Sequence, residues 1–442
     1  MVYPCVVETT LGTASLSADV PSISYRSTCR LSMKGKCREL IALRHQLAFA
    51  EKEFRIQSSS FKSGSMEMKR TLVVLIVLFA CATANAADKV NAKTWLHAKV
   101  RSMPQDVRGP FVHLDGGRIL ALNKGGTIFS SDGGKSWSKS RPVFVDSKQY
   151  ELSGPYIVRT TNGTLVLAFA NSAEMVWKWN DARRDADPGT RLPTYVTRST
   201  DDGKTWETPQ KLHDEWTGDL RRMIQMRNGT IVLSSMQLWN NPGRHVMLSY
   251  SSKDDGKTWT RSNFIDLGGN GHHDGAVEGT IAELKDGRLW MLIRTNWDVF
   301  WQSFSDDSGV TWKSTGPSRI QASSSPGQLL RLESGRLVLL WNRLMPTGWK
   351  TYPRMGGLYN KSSPQWSSIP ASASREELAM AFSDDDGKTW SPHTIIAARD
   401  DQVSYPYMFE ALPGTLWVTS GYGNLRAVLE VADFEPQKKR AN

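Results

Sequence analysis

Five residues of the chain carry side chains that, brought together, would do chemistry on a carboxylate-bearing substrate: Arg108, Arg294, Arg375, Glu278 and Tyr405. Three arginines presented side by side bind a planar carboxylate, because the guanidinium fork matches its geometry and stays charged. A tyrosine next to a glutamate is an activatable nucleophile, the carboxylate taking the phenolic proton. A neutral nucleophile suits an anionic substrate, which a carboxylate nucleophile would repel. Asp274 and His273, in the run Gly271-His272-His273-Asp274-Gly275, are candidates to give a proton to a leaving oxygen. Arg221-Arg222, at the head of a strand, are candidates to add positive charge to the same place, Arg222 in particular.

What singles these residues out is their spacing from a repeat. The pattern S-x-D-x-G-x-[ST]-W occurs five times, as Ser130–Trp137, Ser199–Trp206, Ser252–Trp259, Ser305–Trp312 and Ser383–Trp390. It reads as a tight hairpin in which the Asp accepts backbone N–H groups, Gly supplies positive φ and Trp fills the space beneath. A second mark is a turn glycine between apolar runs, at Gly117, Gly163, Gly229, Gly287, Gly335 and Gly414. Each reads as strand–turn–strand. Six glycine hairpins, five of them followed by the Asp motif, predict an all-β fold. It is a six-bladed β-propeller of four-stranded antiparallel blades with five Asp motifs.

Within such a blade the glycine turn and the Asp hairpin share one face. The start of the innermost strand and the loop between the second and third strands share the other. Counting nine back from a hairpin glycine gives Arg108 in blade one, Glu278 in blade four and Tyr405 in blade six. Arg294 closes the second strand of blade four, and Arg375 opens the third strand of blade five. All five are expected at the mouth of the central channel, away from the Asp motifs. Tyr407 is the register alternative to Tyr405. Trp177 and Trp179, in a long blade-two insertion that also carries Asp181, Asp185 and Asp187, have the position to stack on a sugar face. Successive histidines on a strand point apart, so His272 and His273 are not expected to hold a metal.

The repeat resembles the Asp box of the sialidase-like (neuraminidase, BNR-repeat) propellers. Val107-Arg108-Gly109-Pro110 is similar to that family's Phe-Arg-Ile-Pro start, so the resemblance implies that Arg108 is the first of its carboxylate-binding arginines. The stretch from Glu278 to Arg294 resembles the segment joining the tyrosine-activating glutamate to the second arginine, and Arg375 resembles the third. Tyr405, in Ser404-Tyr405-Pro406-Tyr407-Met408, resembles the nucleophile. The implied activity is retaining exo-hydrolysis of a terminal sialic or related acidic sugar. The chain departs from the family in one place. Its blade-one loop, Asn123-Lys124-Gly125-Gly126-Thr127, has no carboxylate where the family keeps its acid/base Asp, and Asp132 belongs to the opposite face. Two other readings stay open: a non-catalytic propeller that binds acidic glycans through the same arginines, and another hydrolase or lyase of acidic polysaccharide using His273 or Tyr405 as base.

The formal net charge of +11 over 442 residues would fit a nucleic-acid binder, but its distribution argues otherwise. Residues 1–65 read as a non-native or dispensable extension, with translation starting at Met66 or Met68. Residues 66–86 read as a signal peptide, with Lys69 and Arg70, the apolar run Thr71–Ala80 and a cleavage site after Ala86. That run is too short to span a bilayer as a helix. Leu78-Phe79-Ala80-Cys81 alternatively resembles a lipobox, with a lipid anchor at Cys81. The remaining residues 87–442 carry 44 basic and 38 acidic groups, a net +6, and none of the four cysteines. The expectation is an exported propeller, periplasmic or extracellular, without disulfides or cofactor. Its partner would be an acidic glycan, not nucleic acid.

Overall fold

The computed structural model describes residues 93–435 apart from 147, 352–353 and 357–368. The extension, the signal pattern and Cys81 lie outside the described residues. Those described form six antiparallel blades around an axis, five of four strands and one of five, with two further two-stranded ribbons, three short 3-10 turns and no α-helix. No helix among them is long and apolar enough to cross a membrane.

Each blade is a meander. In blade three, Arg222–Gln225, Ile231–Trp239, Arg244–Ser252 and Thr260–Arg261 pair in order from the axis outward. The innermost strands of the other blades are Phe111–His113, Leu152–Arg159, Val277–Glu283, Gln328–Arg331 and Ser404–Leu412. The second strands are buried along most of their length because both faces of every blade are covered. In Leu165–Asn171, Leu165, Leu167 and Phe169 face blade one while Val166 and Ala168 face blade three.

The Asp hairpins are nearly identical. In blade three the Ser252 hydroxyl donates to Asp254 Oδ1 at 2.8 Å and accepts from Gly256 N at 2.9 Å. Thr258 then donates its backbone N–H to Oδ1 and its hydroxyl to Oδ2, at 2.9 and 2.7 Å. Each motif Trp packs into the junction with a neighbouring blade: Trp206 between blades one and two, Trp259 between two and three, Trp312 between three and four, Trp390 between four and five, Trp137 between six and one.

The sixth junction is built differently. Blade six has no Asp motif after its third strand, Arg426–Glu430, and its outermost strand is the chain's Val100–Ser102. The ring is therefore closed by an early strand, which a reading in sequential meanders did not anticipate. Trp95–Leu96 adds a fifth strand to blade five, and Val100, Leu96, Val431 and Phe434 fill the junction that lacks a motif Trp.

Candidate active site

At the mouth, Glu278 and Tyr405 both take left-handed backbone conformations, with φ of +48° and +59°. Non-glycine residues rarely do so, and the strain persists only where surroundings enforce it. The ladder shifts register between Val277 and Thr280, which turns Glu278 out of its strand and into the mouth. Opposite Tyr405, Gly421 leaves the space that the tyrosine needs: a Cβ there would meet Tyr405 Cβ at 2.8 Å and Arg108 Nη2 at 3.1 Å.

The side chains converge on Tyr405. Its hydroxyl donates to Glu278 Oε1 at 2.9 Å and accepts from Arg294 Nη1 at 3.2 Å. The same Arg294 nitrogen pairs with Glu278 Oε2 at 2.6 Å, and Arg294 Nε donates to Ser324 Oγ at 3.1 Å. Arg375 donates from Nη2 to the Ser324 carbonyl at 2.9 Å, and its guanidinium lies 5.6 Å from the Tyr405 ring centroid. Arg108 stands exposed at the rim beside Gly421. Arg294 is 1% exposed, and its Nη2 has no hydrogen-bond partner among the described residues; nor does Arg375 Nε. Buried guanidinium donors are rarely left unpaired, so the mouth holds N–H groups in want of an acceptor.

Electrostatics divides the roles. Burial would raise the Glu278 carboxyl, but the charges of Arg294 and Arg221 and hydrogen bonds from Arg294 and Tyr405 outweigh it and hold the group ionised. Burial, and then the Glu278 charge, push the Tyr405 phenol up, so the phenol rests protonated, with Glu278 Oε1 as its hydrogen-bond acceptor. His273 is held neutral by burial and by the Arg294 charge.

Two expected residues lie elsewhere. Strand alternation sends Arg221, not Arg222, to Tyr405: the Arg221 guanidinium sits 5.3 Å from the ring centroid and donates to the Pro406 carbonyl at 2.7 Å. Arg222 instead lines a cavity of about 660 Å³ along the axis beneath, with Tyr407, Arg331 and Glu283. Tyr407 donates its hydroxyl to the Phe111 carbonyl at 3.2 Å, so Tyr405 is the register that meets Glu278. The Asp274 carboxylate is 3% exposed and accepts from Asn270 N and Asn296 Nδ2, both at 2.9 Å, which makes it a clamp of its own loop. That loop is a turn, not a strand, and it brings the Nδ1 atoms of His272 and His273 within 2.5 Å of each other instead of apart. No group of three metal-ligating side chains occurs among the described residues.

The blade-two insertion supplies an aromatic wall. Trp177, 41% exposed, stacks parallel to Trp179 at 6.0 Å and packs on Trp216 at 4.5 Å and on His272 at 5.7 Å. Asp185 and Asp187 hold the insertion together, through Asn241 N and Arg183 respectively. The sequence had no signal for Ser324 and Asn296, which seat Arg294 through a hydrogen bond of 2.6 Å between them.

Comparison with known proteins agrees with this architecture. The family described as "BNR repeat-like domain" matches residues 126–418. A sialidase of Bacteroides fragilis (strain YCH46) is 27% identical over 209 residues, covering 43% of this chain and 37% of that protein. A sialidase of Clostridium perfringens is 26% identical over 204 residues, covering 42% of this chain and 50% of that protein. The chain thus spans half or less of the length of these relatives. A crystal structure of a Dyadobacter fermentans DSM 18053 protein of unknown function superposes over 76% of this chain and 100% of its own length. Its TM-score is 0.50 at 16% identity, a likeness of fold.

Proposed function

The chain belongs to the BNR repeat-like family of sialidase-type propellers, and from that premise we propose that it is a retaining exo-glycosidase acting on a terminal acidic sugar. The observation that carries this reading is the contact of Tyr405 with both Glu278 and Arg294, beneath an Arg294 nitrogen that has no partner among the described residues. The substrate carboxylate accepts from Arg294 Nη2, with Arg375 and Arg108 alongside. Tyr405 Oη attacks the anomeric carbon as Glu278 Oε1 takes its proton. The leaving alcohol departs, and water then releases the glycosyl-tyrosine with net retention. Trp177 and its neighbours give the rest of the glycan an aromatic face to lie on. We further propose export, on the strength of the Met66–Ala86 pattern.

The test is covalent trapping. A fluorinated acidic glycosyl fluoride should label Tyr405, as read by peptide mass, and the product should appear first as the anomer of the substrate. Tyr405→Phe should lower turnover on the order of a thousandfold or more while sugar binding persists. No turnover of any acidic glycoside by the wild type, with saturable binding intact, would turn the reading into that of a glycan receptor.

A further inference from the structure

The loop between the second and third strands of blade one cannot supply the proton donor. It is a two-residue turn, Lys124-Gly125, with φ of +49° and +78° and with Asn123 paired to Gly126. So tight a turn stops at the sheet edge and carries nothing over the channel. The proton for the leaving oxygen must come from elsewhere at the mouth.

Blade two has a gap at the mouth, and a neighbour fills it. Nine residues before the hairpin glycine, where blade four has Glu278 and blade six has Tyr405, blade two has Gly154. Gly154 has the same left-handed conformation, φ +52°, but no side chain. A Cβ built on it would lie 2.1 Å from Asp219 Oδ1, so the Asp219 carboxylate occupies the place that the missing side chain leaves open. Asp219 comes from the loop before the innermost strand of blade three, and its Oδ2 accepts from Arg221 Nη1 at 3.1 Å. Arg221 lies in turn against the Tyr405 ring. Asp219 Oδ1 has no hydrogen-bond donor among the described residues, and the side chain is 23% exposed. Three residues earlier in the same loop, Trp216 packs against the exposed Trp177. The carboxylate therefore adjoins Tyr405 through Arg221 and shares its loop with the aromatic wall.

We propose that Asp219 is the general acid and base of this site, taking the role that the blade-one loop leaves unfilled. The proposal rests on the glycosidase reading. In the first step the Asp219 carboxyl gives its proton to the leaving oxygen as the glycosidic bond breaks, while Glu278 holds the proton of Tyr405. In the second, Asp219 takes a proton from water as the water oxygen bonds the anomeric carbon, and Tyr405 leaves with the proton that Glu278 returns.

The surroundings suit a carboxyl that must give up and regain a proton. Burial pushes Asp219 up to about 6, the Arg221 charge opposes this, the Glu278 charge adds to it, and Arg108 opposes it again. Tyr405 and Tyr156, which in turn feel the Asp219 charge, are both phenols held neutral, first by burial. Two carboxyls of one site pushed in opposite directions are the arrangement that separates an acid from a base.

The test compares two glycosides of one acidic sugar, one with a nitrophenol leaving group and one a natural disaccharide. In Asp219→Ala and Asp219→Asn, kcat/KM for the disaccharide should fall by about a hundredfold or more and that for the nitrophenyl glycoside far less. The alkaline limb of the wild-type disaccharide profile should disappear in Asp219→Asn. Thermal melting and equilibrium binding of the free sugar check that each variant is folded, and the isosteric Asn variant decides the matter if Ala fails to fold. Equal losses on both substrates, or an unchanged alkaline limb, overturn the assignment and leave the glycosidase reading standing. A wild type that turns over neither substrate removes both.

Discussion

The two faces of the propeller put the same chemical group to opposite uses. On the repeat face, Asp132 accepts the hydroxyl and backbone N–H of Ser136 and the hydroxyl of Ser130, and these bonds hold its carboxyl down at about 2. Asp385 is held at about 2 in the same way, first by Thr389. On the mouth face, Asp219 has one oxygen paired and one without a donor among the described residues, and burial lifts it to about 6. A carboxylate whose lone pairs are filled by its own hairpin is a brace. One that is desolvated and half-satisfied is available for chemistry. Repetition marks the first kind, and a unique environment marks the second.

The comparison can be broken most forcefully at Arg294. Arg294→Met strips a buried Glu278 of its partner, which should cost about 3–5 kcal/mol of stability and abolish binding of the acidic sugar. Urea unfolding and calorimetric titration read the two effects. Unchanged stability would mean that the mouth is not held by this pair. A smaller loss is expected on the other face. Ser252→Ala leaves the Gly256 N–H without its acceptor, at about 1–2 kcal/mol, with kcat unaltered. A fall in kcat would show that the faces are coupled. The smallest effect has the opposite sign. Because the Asp219 carboxyl rises from 3.8 to about 6 on folding, its ionisation works against the fold as pH climbs through that range. Asp219→Asn should therefore be more stable than wild type at pH 7, on the order of 1 kcal/mol. Below 3.8, where the group is protonated in both states, the advantage should vanish. Melting temperatures at the two pH values check this, and a variant that is less stable at pH 7 would make Asp219 another brace.

Much of the molecule was legible in the chain. The blade number follows from local hairpin chemistry, which needs no partner from another blade, and the nine-residue offset from the turn glycines fixes height along the axis, which is why Arg108, Glu278 and Tyr405 were picked out at the mouth. Side-chain direction was less legible. Arg221 and Arg222 are adjacent, and only the strand's pairing shows that Arg221 faces Tyr405 while Arg222 lines the channel. Asp274 sat at the right height in the chain, yet its oxygens are engaged with Asn270 and Asn296.

By itself, then, the sequence determined the all-β class, the six blades and the level of the mouth, because these rest on turns and alternations that repeat within each unit. Tertiary structure alone decided the closure of blade six by Val100–Ser102, the partner shared by Glu278 and Tyr405, and the entry of Asp219 into the gap at Gly154. Each of these joins residues that no single hairpin brings together. Their separation is set by how the blades pack around the axis, a distance that no spacing along one strand encodes.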